Sequence, residues 1–154
     1  MRIISDSQIS SYLKEKKILP KNFRPNFNTR SLNNHFELDT KGENGNIFRI
    51  IIRRSKINPL DFSVILGVVI GNEVFRLKRY NGDSHEHTNS IEKETIEGFH
   101  IHTATERYQT KGHKPEDYAQ KTLNYYDWNT ALQAMLKDNN FVYEVDDNQK
   151  RLVE

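Results

Sequence analysis

Apolar residues in this chain fall into a few runs, and their spacing switches between a helical and an alternating period. Ser5-Asp6-Ser7-Gln8 has the form of a capping box, and Ile9, Tyr12 and Leu13 follow at helical spacing, which predicts a helix over 6–17 closed before Pro20. Residues 20–34, rich in Asn, Pro and Arg, read as a loop, and His35 to Leu38 as a short edge strand. Asn44-Gly45 signals a turn, after which Ile47 to Arg54 is rich in β-branched residues and predicts a strand. Phe62 to Ile70 is apolar on both faces, as a central strand would be, and Gly71-Asn72 makes a hairpin into Glu73 to Tyr80.

A polar stretch, 81–97, precedes the last strand of the meander, predicted over 98–104. Pro115-Glu-Asp-Tyr-Ala is expected to start a short helical turn, and Asp127 to cap a helix over 128–137 whose Trp128, Ala131, Leu132, Met135 and Leu136 share one face. Phe141 to Tyr143 fits a final short strand, and 144–154 reads as a frayed charged tail. The sum is an α+β fold: an antiparallel β-meander of four to five strands with an N-terminal and a C-terminal helix on one face, in a single domain over 1–154.

Alternation also assigns faces, because neighbouring side chains on a strand point opposite ways. Phe99, Ile101 and Thr103 share one face, and His100 and His102 the other. On the preceding strand Phe75, Leu77 and Arg79 fall together, leaving Arg76 and Lys78 to join the histidines on a cationic face.

Composition narrows the chemistry. The chain has no cysteine, so a disulfide framework or thiolate metal site is excluded and a metal would need His, Asp or Glu. The N-terminus lacks the apolar stretch of a secretory signal and no run is long enough to cross a membrane, so a cytoplasmic protein without a membrane partner is expected. The net charge of +2 does not announce nucleic acid, but residues 49–79 hold seven Arg or Lys against Asp61 and Glu73, a basic patch rather than a coating.

Four of the six histidines form two close pairs, His85-Glu-His87 and His100-Ile-His102. Imidazole titrates near neutrality, so such pairs can supply a general base and a general acid without a cofactor. Cleaving RNA without metal needs both, plus cations for the phosphate. His85, His87, His100 and His102 are the candidates for proton transfer, and Arg79 and Arg107 for charge stabilisation. Arg76 and Lys78 would hold the backbone, and Tyr80 and Tyr108 would stack on splayed bases. The plain alternative is that the histidines only bond loop carbonyls. Two others stand: a noncatalytic module for nucleic acid, nucleotide or protein, and a small metalloprotein in which His100 and His102 bind an ion with His85, His87 or Glu92.

Residues 47–109 also carry a recognisable order: Arg- and Ile-rich paired strands, an Arg79-Tyr80-Asn81 turn, His85-Glu-His87-Thr-Asn89, and a returning His100-Ile-His102 strand followed by Glu106-Arg107-Tyr108. This layout resembles the TumE-type toxin proteins and a group of short prokaryotic proteins built the same way. The resemblance implies a toxin of a toxin–antitoxin pair, a small ribonuclease fold of a helix-backed antiparallel sheet, RNA and a cognate antitoxin as partners, and a ribonuclease site around the four paired histidines. It covers under half of the chain.

Overall fold

A computed structural model describes residues 2–30 and 32–145, so most of the tail expected to fray lies outside the described residues. The elements in chain order begin with α1 (Asp6–Lys14), β1 (Lys17–Leu19), β2 (Asn28–Arg30), β3 (Asn33–Lys41), β4 (Ile47–Ser55), β5 (Phe62–Ile70) and β6 (Glu73–Asn81). They continue with β7 (His87–Asn89), β8 (Glu94–Ile96), β9 (His100–Thr103), α2 (Glu106–Thr110), β10 (Ala119–Lys121), α3 (Trp128–Asp138) and β11 (Phe141–Tyr143). Seven strands make one antiparallel sheet in the order β10-β9-β6-β5-β4-β3-β2, the expected meander extended at both edges. No helix among the described residues is long and apolar enough to cross a membrane.

The core lies on one face of the sheet. Phe48, Ile50, Ile52, Val64, Leu66 and Tyr80 meet Ile9 of α1 and Ala131, Leu132, Met135 and Leu136 of α3 in one cluster. α1 begins with the expected capping box at Ser5, and α3 with the expected cap at Asp127, which Thr130 completes into a capping box. Phe27 and Trp128, edge to face with each other at 5.1 Å, both contact the Arg54 guanidinium, whose central carbon lies 4.4 and 4.8 Å from their ring centroids, so one member of the basic stretch serves packing.

Several element boundaries differ from expectation, each for an identifiable reason. The first helix stops at Lys14 rather than 17. Glu15 turns to extended backbone, and its buried carboxylate accepts Asn44 N (2.9 Å) and Asn46 Nδ2 (2.6 Å), tying the helix end to the Asn44-Gly45 turn. Lys17 to Leu19 is then free to pair in parallel with β11. The Lys17 ammonium is buried yet spends its three protons on the carbonyls of Leu13, Glu15 and Asn139 at 2.8 to 3.0 Å. Burial lowers its pKa to about 8. The strand expected at 35–38 is nine residues long, and β2, inside the expected loop, pairs with its first three residues, Asn33 to His35. The helical turn expected at Pro115 is absent; the short helix sits earlier, capped by Thr105.

Face assignment on β6 also changes. Leu66 pairs with Lys78 and Gly67 with Arg76, so Leu77 is an extra residue with no partner opposite it, a β-bulge. Alternation resets there. Lys78 and Tyr80 turn to the helix side, while Arg76, Arg79 and Asn81 share the open face. The bulge adjoins Gly67, where an added Cβ would stand 2.4 Å from Val74 Cγ1 and 3.3 Å from the Phe75 carbonyl oxygen. Gly67→Ala is therefore expected to destabilise the fold by about 1–3 kcal/mol. Val74→Ala on top of it should recover part of that loss. Urea unfolding midpoints check both, and an unchanged midpoint for Gly67→Ala would contradict the tight contact.

Candidate functional site

β9 pairs with β6 in the register Arg79 to His102 and Asn81 to His100, which sets these four side chains together on the open face. Phe99 and Ile101 go the other way, into the core. The β7–β8 hairpin folds over this face. It is held by Asn89, fully buried, whose Nδ2 donates to the Ala119 carbonyl while its Oδ1 accepts Ala119 N, both at 2.8 Å. One side-chain amide thus pairs with the β10 backbone as a strand residue would, and brings β7 against the sheet.

As a result His87 reaches the other pair. Its ring centroid is 4.5 Å from that of His102, edge on, and 5.9 Å from that of His100, nearly parallel, and those two are 5.1 Å apart. These three imidazoles line a cavity of about 300 Å³. His85 lines the same cavity from its rim, exposed and outside the ring cluster.

Hydrogen bonds fix two of the rings. His87 Nε2 lies 2.7 Å from the Asp117 carbonyl oxygen and His100 Nδ1 lies 2.8 Å from that of Gly98. A carbonyl only accepts, so each of these nitrogens carries a proton, and in the neutral ring the lone pair belongs to the other nitrogen. His102 is different: its Nδ1 is buried with no hydrogen-bond partner among the described residues. His100 and His102 are each 3% exposed, and burial is the main reason both pKa values fall, that of His102 to about 3. The positive charge of Arg79 lowers both further.

The cations of this face are mostly engaged, which corrects the picture of a bare basic patch. Arg79 Nη2 donates to Glu116 Oε2 at 2.7 Å, with Arg76 Nη1 at 3.9 Å from the same oxygen, and Arg53 Nη2 donates to Asp61 Oδ1 at 2.9 Å. Arg49 pairs with Asp39. Two donors remain unspent at the cavity wall: Arg79 Nε, buried and without a partner among the described residues, and the exposed Lys114, which has no ion pair among them.

Of the residues singled out by sequence, His87, His100, His102, Arg79 and, at the rim, His85 converge, with Arg76 beside them. Lys78 lies on the helix side near Asp138, where burial lowers its pKa. Tyr80 and Tyr108, expected to stack on bases, are fully buried: Tyr80 bonds Asp138, and Tyr108 bonds Glu92 beneath the hairpin. Arg107 pairs with that same Glu92, away from the cavity, so neither Arg107 nor Glu92 belongs to the site. Sequence reasoning placed Asn89 in the His-x-His-Thr-Asn motif without giving it a role, and missed Lys114, Glu116 and Asp117. Their only signal was the concentration of polar types in an aperiodic loop.

Burial of neutral His102 has a consequence for stability. The unfolded chain takes up a proton near pH 6.5, the folded one only near 3, so the unfolded state binds more protons between them and stability falls as pH drops through that window. In EDTA, wild type should lose about 2 kcal/mol more than His102→Phe between pH 6.5 and 4.5. Urea titrations across that range decide it, and parallel pH profiles would contradict a neutral buried His102. No protein-family model, no curated protein and no solved structure matches the chain.

Proposed function

We propose that this chain is a metal-independent endoribonuclease of a prokaryotic toxin–antitoxin or defence system, acting in the cytoplasm. The observation that carries the reading is the arrangement of His87 and His100: rings nearly parallel at 5.9 Å in one cavity, each with one nitrogen committed to a carbonyl. Each ring therefore has a single nitrogen left for substrate. The order of motifs over 47–109 that resembles TumE-type toxins supports the same chemistry. A cognate antitoxin, on this reading, would cover the cavity mouth.

His100, buried and pushed toward its neutral form, acts as the base through Nε2. It takes the proton of a ribose 2′-hydroxyl, the 2′-oxygen attacks phosphorus, and the bond from phosphorus to the 5′-oxygen breaks. His87, half-buried and nearer solvent, is the acid, giving the Nδ1 proton of its charged form to the departing 5′-oxygen. The products are a 2′,3′-cyclic phosphate and a 5′-hydroxyl. Lys114 offers its ammonium to the phosphate oxygens, where negative charge grows in the transition state, and the Arg79 guanidinium adds its positive charge from the cavity wall. Arg76, exposed beside them, holds the neighbouring backbone.

Single-stranded RNA incubated with the purified protein in EDTA should be cut to fragments ending in cyclic phosphate. His100→Ala and His87→Ala should each slow this by roughly 10²-fold or more. Arg107→Ala, outside the cavity, should cut like wild type. RNA bound but left intact, or cleavage equal in His100→Ala, would sink the reading.

A further inference from the structure

We propose that the same cavity also takes a divalent transition-metal ion of the Zn²⁺ class on His87, His102 and Asp117, and that the ion and the proton-transfer chemistry exclude each other. Binding stands on geometry alone; the exclusion rests on the reading above.

Three separate segments supply the donors: β7, β9 and the loop before β10. One ligand atom from each of His87, His102 and Asp117 lies within 4.8 Å of the others. Donors bound at about 2.0–2.2 Å in a tetrahedron stand roughly 3.5 Å apart, so side-chain adjustment on the order of 1 Å closes the set. Two imidazoles and one carboxylate suit Zn²⁺ and leave its fourth position open, whereas Mg²⁺ and Ca²⁺ prefer oxygen donors.

His102 supplies the independent sign. Its Nδ1 is buried, lacks a hydrogen-bond partner among the described residues, and belongs to a 3% exposed ring that lines the cavity. A polar nitrogen withdrawn from water without a partner is costly, and a metal ion is a partner that needs no proton. The main-chain carbonyl of Asp117 holds His87 Nε2–H, the kind of outer bond that orients a ligating imidazole and leaves Nδ1 as its donor. Glu116 neutralises Arg79 at 2.7 Å, so the nearest guanidinium does not oppose a dication unscreened.

The exclusion follows from electron pairs. An ion on His87 Nδ1 occupies the nitrogen that would carry the acid's proton, and no proton can then pass to a leaving oxygen there.

Titration calorimetry of EDTA-stripped, dialysed protein with Zn²⁺ tests binding, with RNA cleavage followed in the same preparations. Wild type should bind one ion per chain, and His102→Ala and Asp117→Asn should each bind at least about 10-fold more weakly. His35→Ala, outside the cavity, should bind like wild type, and Mg²⁺ should not compete. Asp117→Asn keeps the test open if His102→Ala misfolds by circular dichroism. Equimolar Zn²⁺ should stop RNA cleavage. Absent Zn²⁺ binding, or binding undiminished in both variants, overturns the site while leaving cleavage in EDTA untouched. Tight binding with no cleavage under any condition upholds the site and overturns the ribonuclease reading. Cleavage that survives or rises with Zn²⁺ bound overturns the exclusion.

Discussion

Because Leu77 has no partner opposite it in β5, the alternation of β6 resets there, and Arg79 and Asn81 come to the face that carries His100 and His102. Without that extra residue Arg79 would point into the helix-covered core and Tyr80 toward solvent. The bulge therefore does two things at once. It lets Leu77 and Tyr80 both be buried, and it places a guanidinium opposite an imidazole across the β6–β9 pair. Bulges bend a strand and re-aim its side chains at the cost of a ladder bond, and here the re-aimed side chains are those of the cavity.

The rest of the cavity is built by covering that face. The β7–β8 hairpin has only three residues per strand, too few to hold a position alone. Asn89 anchors it to β10 through a paired amide contact, Tyr108 and Glu92 brace its far end, and Thr88 Oγ1 lies 3.0 Å from Thr95 Oγ1 across it. His87 is thereby presented by a clamped element. Charge is balanced in the same way, each arginine at the wall being matched to an acid from a different segment, Arg79 to Glu116 and Arg53 to Asp61. Ion pairs of this kind contribute modestly to stability but set where the guanidinium stands.

The His100 and His102 pair was legible in the sequence because i and i+2 on a strand share a face whatever the neighbouring elements do, whereas His85 precedes β7 and only His87 of the other pair joins the cluster. Long strands and both capped helices were legible for the same reason, each having a strong period of its own. The bulge was not: Phe75, Leu77 and Arg79 alternate regularly on paper, and only pairing with β5 reveals that Leu77 is the extra residue. Three-residue strands such as β2, β8 and β10 are too short to show a period, and their places are decided by partners far along the chain. Lys17 continued a helical pattern locally, but its ammonium is consumed by carbonyls at both helix ends. Asp117 and Glu116 lie in a loop whose Pro115-Glu-Asp order reads equally well as a helix start.

A cluster of imidazoles this close cannot be uniformly charged. With centroids 4.5 to 5.9 Å apart, a proton on one ring raises the cost of a second on either neighbour. Burial favours neutrality for His100 and His102, so these two rings are kept as lone-pair donors. On the proposed ribonuclease reading His87 Nδ1 would carry the acid's proton, and a bound ion would compete with that proton for the same nitrogen. A structural role for these histidines would require only that their N–H groups be satisfied, as those of His87 and His100 are by carbonyls. His102, whose buried Nδ1 has no hydrogen-bond partner among the described residues, is the member of the cluster that such a role accounts for least.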